Sequence, residues 1–386
     1  MRILFLVLLT GCAVLCGYAQ QKDISGLENG RDTITNFSEY KRGVTFGGLL
    51  QTRFVASLTR NVDVSGKNFP DTVKGVTNTF NLKRVRVQVK ANVNDHFSAG
   101  ILFNLAEFSS DPINKVLENA YIRYSLNKYF NLQAGQFRPF FGIEDALPVD
   151  IIRTLDYSNQ YYAFGANGWQ SFQVGLSVFG EILSRNDFTL KYYAGAYNGN
   201  NRNQPADNNN TKNFYGRLEL LPGKNLTVGV NAASGSLGGN AGTGSAWGAD
   251  FLGQIDLSEK WAILFSAEFK NGTSFTNFNS SSAVPKPPLS DFRMKGFYLF
   301  PILRFEYKRP RVRAMELSAR YEYLEDNYKL TDNPRQTITP NLSLIFADNF
   351  FATIQTGVNI DLFRNDIPLT TTYSHSLAYV QLQIRY

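Results

Sequence analysis

The chain has 386 residues, of which 43% are hydrophobic and only 18% charged, with 31 Gly, 31 Phe, 20 Tyr and a net charge of +7. That charge fraction lies below the ~25% usual for globular domains, and a mean hydropathy of −0.23 excludes a helical membrane protein, which needs several apolar runs of about 20 residues. No long Lys/Arg run is present, so the modest basic excess points to anionic solutes or an acidic surface, and nucleic acid is not an expected partner.

The N-terminus reads as an export signal. Arg2 is the positive end, Ile3 to Leu9 is the apolar core, and Gly17-Tyr18-Ala19 supplies small residues for cleavage, leaving Gln20 first. Leu9-Thr10-Gly11-Cys12 offers a second reading, a lipobox with Cys12 as the lipidated residue. Cys12 and Cys16 are the chain's two cysteines, so cleavage after Ala19 removes both. Disulfide scaffolds, thiolate zinc sites and cysteine nucleophiles go with them. The expected organisation is a leader over 1–19, a short polar periplasmic segment over 20–42, and one large unit over 43–386.

From residue 43 onward the hydrophobic period is two. Leu50, Phe54, Ala56 and Leu58 alternate with Gln51, Arg53 and Ser57. Val85, Val87, Val89, Ala91 and Val93 alternate with Arg84, Arg86, Gln88, Lys90 and Asn92. Each such stretch is a strand with one apolar and one polar face. The pattern returns at Phe97–Leu105, Ala120–Tyr124, Phe188–Tyr192, Phe214–Leu220 and Leu226–Ala232. It continues at Trp247–Ile255, Trp261–Phe269 and Met315–Tyr323. About sixteen segments result, most reaching the ~9–11 residues that a tilted strand needs to cross a bilayer. The longest clean apolar run beyond the leader is Tyr298 to Leu303.

Tight connections such as 221–225 and 256–260 alternate with long ones rich in Asn, Gly, Ser or Pro, at 198–213, 234–245 and 271–293. Short turns on one rim and long loops on the other mark a transmembrane antiparallel β-barrel. Val380, Leu382, Ile384 and Tyr386 share one parity at the C-terminus. A last strand ending in an aromatic residue resembles the closing strand of bacterial outer-membrane proteins, which implies recognition by the barrel assembly machinery. The alternative, a secreted soluble β-protein, would have to hide every one of those apolar faces. Trp169, Tyr192, Tyr193, Trp247 and Trp261 read as interfacial girdle residues. By parity Tyr121, Tyr193, Tyr197, Tyr215, Tyr298 and Phe300 point inward, and these inward aromatics leave a sugar-stacking path open.

Four stretches together resemble the phosphate-selective porin O/P family. They are Phe80-Asn81-Leu82-Lys83-Arg84-Val85-Arg86-Val87-Gln88-Val89-Lys90, Glu118-Asn119-Ala120-Tyr121, Leu132-Gln133-Ala134-Gly135-Gln136-Phe137-Arg138-Pro139-Phe140, and Met315-Glu316-Leu317-Ser318-Ala319-Arg320-Tyr321-Glu322-Tyr323-Leu324. The resemblance implies a sixteen-stranded all-β barrel in outer-membrane lipid, a homotrimer, and a loop after the Gly-Gln-Phe strand folded into the pore. Expected lumen cations, by parity, are Arg53, Arg84, Arg86, Lys90, Arg123, Lys191, Arg217, Arg304, Lys308 and Arg320, with Arg138 at the root of the loop and Arg153 within it. Appreciable selectivity needs several converging cations, since one in water contributes only ~1 kcal/mol at 4 Å. The competing reading pairs them with Asp250, Asp256, Glu268, Glu306 and Glu316.

The expected constriction loop, 139–156, carries Glu144, Asp145, Asp150 and Asp156. Acids facing a narrow pore would repel anions. His96 and His375 have no neighbouring nucleophile, Asp207-Asn208-Asn209-Asn210 lacks calcium-loop order, and no enzyme activity, metal or cofactor is expected. The reading is a porin passing small hydrophilic solutes with an anion bias of the phosphate type. A general or saccharide-preferring pore is the alternative within the class, and a structural or adhesive surface protein the alternative outside it.

Overall fold

The computed structural model describes residues 43–386 except 150, 186, 205–206, 208–209, 238–241, 308, 310 and 348–350. The expected leader and polar segment, with Asp150 and Lys308, lie outside the described residues. Sixteen strands close into one antiparallel barrel in which each pairs with its chain neighbours. They are β1 (Gly43–Ser57), β2 (Asn78–Asn92), β3 (Phe97–Asn104), β4 (Leu117–Asn127), β5 (Phe130–Phe137), β6 (Gln173–Arg185), β7 (Phe188–Tyr197) and β8 (Asn213–Pro222). The second half holds β9 (Leu226–Gly235), β10 (Gly244–Asp256), β11 (Trp261–Thr273), β12 (Arg293–Glu306), β13 (Ala314–Glu325), β14 (Arg335–Ala347), β15 (Ala352–Phe363) and β16 (His375–Arg385).

Closure is made by β1 against β16, in register from Leu49 opposite Arg385 to Ser57 opposite Leu377. The Gly48 amide donates to the Tyr386 carbonyl at 2.8 Å and the Tyr386 amide returns the bond at 3.1 Å, so the last residue completes the ring. Closing the sheet removes every strand edge, and only then can strands lie in hydrocarbon without unpaired backbone groups. Short turns such as 223–225 and 257–260 occupy the rim holding the C-terminus, and the long connections occupy the other.

Period two decides which way side chains point. Phe46, Phe80, Leu317 and Val380 are exposed on the outer face, Phe80 by 84%, whereas Gln51, Arg53, Glu316, Arg320, Gln381 and Gln383 are buried on the inner one. Trp247 and Trp261 sit on the outer face near opposite rims, tilted against Phe269 and Phe305, as interfacial aromatics should be. Trp169 departs from the girdle reading. It is fully buried in the lumen, where Nε1 donates to the Thr273 carbonyl at 2.8 Å.

Two of the breaks in the alternation bear on the lumen. In β2 the register against β1 slips after Gln51, leaving Lys83 as the extra residue of a bulge, so Phe80 and Leu82 face out on one parity and Val85 and Val87 on the other. In β11 and β12 both faces are apolar, and Leu264, Phe300 and Ile302 turn buried side chains inward. The second break is the Tyr298–Leu303 run of the sequence.

The two faces make opposite demands. Leu299→Arg puts a charge into hydrocarbon and should lower unfolding stability in lipid by about 2–4 kcal/mol. Gln88→Arg, on the lumen side, should stay within about 0.5 kcal/mol of wild type. Urea titration of both variants in vesicles, read by tryptophan fluorescence, checks the pair.

Candidate functional site

The 35-residue connection from β5 to β6 folds into the barrel and forms most of the site. It contains two short helices, α1 (Ile143–Ala146) and α2 (Asn159–Ala166). Gly142 precedes α1 at φ +119°, and a Cβ there would strike the Glu268 carboxylate. This close approach lets Glu268 accept the Ile143 amide at 3.1 Å while it pairs with Lys270 at 2.8 Å. Apolar keys fix the rest of the loop. Phe141, Phe164 and Trp169 pack with Phe137, Tyr197 and Tyr215, Ile143 packs with Leu264, Tyr298 and Phe300, and Val149 with Leu49 and Tyr157. Four of the aromatics expected to offer a sugar path, Tyr197, Tyr215, Tyr298 and Phe300, therefore anchor the loop instead.

Asp156 is the far anchor. Its carboxylate takes Arg53 at 2.7 Å, Arg84 at 2.8 Å and Lys83 at 3.3 Å, and the Tyr162 hydroxyl donates to it at 3.3 Å. Arg53 also donates to the Leu155 carbonyl at 2.6 Å and to Gln381, and Arg320 to the Asp156 carbonyl at 2.7 Å. Burial by itself would raise the Asp156 pKa, but Arg53, Lys83 and Arg84 hold it well below the usual carboxylate range. On the next turn, Glu322 accepts the Asn159 amide, whose side chain reaches Thr337 at 2.7 Å. The loop thus spans from β8 and β11 to β13, β14, β1 and β2.

Glu144 and Asp145 turn inward on the loop itself. Glu144 accepts the Ser158 amide at 2.8 Å, and Asp145 accepts Gln170 at 2.7 Å. Burial pushes Asp145 up to about 6, against the pull of Lys270 and Arg138. The expectation that these acids face the pore and repel anions is corrected. They satisfy buried donors, as buried carboxylates must. Arg138 is likewise a bracket of the loop and no pore-lining cation. It donates to Tyr157 and Tyr161, both at 3.1 Å, and to the Glu144 and Leu147 carbonyls.

Most expected lumen cations meet carboxylates. Arg86 pairs with Glu118 at 2.8 Å, Lys191 with Glu219 at 3.7 Å, Arg217 with Asp250 and Glu219, and Arg320 with Glu322 at 2.7 Å. Arg304 and Arg153 both bond Glu316. Two differ. Arg123 has its Nε and Nη2 on the neutral Gln133 side-chain oxygen at 2.9 and 2.6 Å, with its guanidinium over the Tyr121 and Phe179 rings. Lys90 is exposed on the inner face of β2, where register places it beside Gly100 and then Tyr121. Among the described residues no carboxylate pairs with either. Phe179, Tyr193 and Phe140 continue this wall as a half-buried aromatic cluster with centroids 4.5–6.0 Å apart.

Sequence reasoning missed the clamp partner Lys83 and ended the loop 16 residues early, at 156 instead of 172. The missed signal was composition: Tyr157, Tyr161, Tyr162, Phe164, Trp169 and Phe172 are too many aromatics for a solvated loop.

Comparison with known proteins bears on the same residues. The family model described as "Phosphate-selective porin O and P" matches residues 56–250, and no curated protein sequence matches the chain. Among solved structures, the anion-selective porin of Comamonas acidovorans is similar at a TM-score of 0.57 and 10% identity, covering 90% of this chain and 99% of that one. The outer-membrane channel DcaP of Acinetobacter baumannii is similar at 0.54 and 13%, covering 89% and 97%. The trimer form of OmpT from Vibrio cholerae is similar at 0.53 and 12%, covering 89% and 99%.

Asp156→Asn leaves three cations facing one neutral group. Removing one partner of a buried pair costs about 3–5 kcal/mol, so the variant should show noisier single-channel current and faster protease cleavage within 138–172. The sign with pH follows from the depressed carboxyl. The clamp's stabilisation is fully present above the ordinary aspartate pKa of 3.8 and is lost only as pH falls through the lower native value. Asp145 runs the other way, since its raised pKa means that acid relieves a burial cost. Wild-type current should therefore stay quiet from pH 7 down to about 4, which a pH series in a planar bilayer checks.

Proposed function

This chain belongs to the phosphate-selective porin O and P family, and on that premise we propose an outer-membrane porin whose open path runs along the inner faces of β2 to β7 and favours anions. The observation that carries the reading is Arg123, held by a neutral amide between two rings with its charge uncompensated. Lys90 adds a second such charge from β2, and Arg86 and Lys191 line the same wall at reduced net charge because Glu118 and Glu219 sit against them. Desolvated partly by aromatic faces, a guanidinium attracts an anion more strongly than it would in bulk water.

The described acids of the loop do not oppose this bias, because Asp156 is spent on the clamp and Glu144 and Asp145 on internal donors. The activity proposed is diffusion of small hydrophilic anions, inorganic phosphate among them. A homotrimer is the assembly proposed, by analogy with the trimer form of the Vibrio cholerae protein. A second reading rests on Tyr121, Phe179, Tyr193 and Phe140, whose half-buried rings suit the flat faces of sugars.

The deciding experiment is the reversal potential of the purified protein in a planar bilayer under a KCl gradient. A chloride-favouring potential supports the anion path, and a neutral one favours the aromatic wall and saccharides. Arg123→Ala with Lys90→Ala should cut the chloride-to-potassium permeability ratio by roughly fivefold, at ~1 kcal/mol for the charge nearest the path. Arg84→Ala should instead loosen the loop, since that guanidinium is committed to Asp156 and Gln51.

A further inference from the structure

Water-filled barrels carry polar inner walls, yet β10 to β12 break that rule. Leu252, Leu264, Phe300 and Ile302 face the lumen there, the last three on the strands whose sequence is apolar on both faces. Part of this wall packs against Ile143 and Leu147 of the loop, but the two surfaces do not close on each other. A cavity of about 430 Å³ remains between the loop residues Leu147, Ile151 and Ile152 and the wall. Folded interiors leave few voids larger than a water molecule, so a partly open apolar space of this size keeps hydrocarbon surface against water. That is unfavourable until something apolar fills it.

Charge narrows the class of occupant. Of the five charged side chains lining the cavity, Arg153, Lys224, Arg304 and Arg320 are cationic and only Glu144 is acidic. Glu144 is turned to the Ser158 amide and hydroxyl, and Glu316 lies fully buried beneath Arg153 and Arg304. Lys224 stands exposed in the β8–β9 turn, where the cavity reaches the periplasmic rim. Arg304 also pairs with Glu306 and Arg320 with Glu322, so among the described residues the charge left to meet an anion at this apolar pocket is Lys224, and the volume suits a small organic molecule.

We propose that this compartment binds amphipathic organic carboxylates, with the hydrocarbon part between Leu252, Leu264, Ile302 and the loop's Ile151–Ile152, and the carboxylate at Lys224. The site is separate from the Arg123 path, so the barrel holds two subsites divided by the inserted loop. The inference rests on the porin reading only in needing an open periplasmic mouth.

The test compares sodium hexanoate with sodium acetate, equal in charge and ionic strength, added on the periplasmic side of the full-length barrel in a planar bilayer. Hexanoate should interrupt current at a concentration at least tenfold below acetate. Leu252→Gln, which makes the wall polar at similar volume, and Thr227→Phe, which fills the cavity from the strand opposite Leu252, should each raise the blocking concentration fivefold or more without moving the KCl reversal potential. Calorimetric titration of hexanoate into the amphipol-held barrel, which needs no conduction, should return the same ratio. Equal potency of the two acids by both measurements, or unchanged block in both variants, would overturn the proposal and leave the apolar wall as an anchor for the loop alone. A potassium-favouring wild-type channel would sink the anion path without touching the hexanoate result, so the two readings fail separately.

Discussion

A single carboxylate meeting three cations organises the interior of this barrel. Asp156 sits midway along a long loop and draws in Arg53 from β1 and Lys83 and Arg84 from β2. Left unpaired, the buried Arg53 and Arg84 would be costly, and so would an aspartate set among them. Neither side is tolerable without the other, so the loop must cross the lumen. Once it crosses, Arg320 caps the backbone at Asp156 and Tyr157, Glu322 takes the start of α2, and Phe141 and Trp169 fill the space behind.

Crossing has a second consequence. It divides the lumen into a polar wall along β2 to β7 and an apolar one along β10 to β12. On the first, Glu118 and Glu219 offset Arg86 and Lys191, and among the described residues Arg123 and Lys90 meet no carboxylate. On the second, the loop leaves an apolar cavity bordered by paired arginines and Lys224. Charge balance in the remainder is what a narrow wet channel requires, because a wall of unpaired guanidinium groups would repel itself. On the reading proposed, selectivity is a matter of which few charges escape pairing.

The outer face was legible along the chain. Successive side chains of a strand point to opposite sides, so Val85, Val87 and Val89 face lipid and Arg84 and Arg86 face the lumen by local geometry alone. The pattern of short turns and long loops carried the topology, and the polar parity carried the list of inward cations. Arg138 and Trp169 escaped it, since both lie at or beyond the end of β5, where period two has stopped.

By itself, then, the sequence determined a closed antiparallel barrel, its lipid-facing stripe and the residues available to its lumen, because orientation on a strand depends only on parity. Which of those residues carry free charge was decided by the tertiary structure. Arg53 meets Gln381 across 328 positions of sequence and Asp156 across 103, and Arg123 stays uncompensated because Gln133, on the neighbouring strand, carries no charge. Pairing is a property of points in space that closing the ring and inserting the loop bring together, and no local period records it.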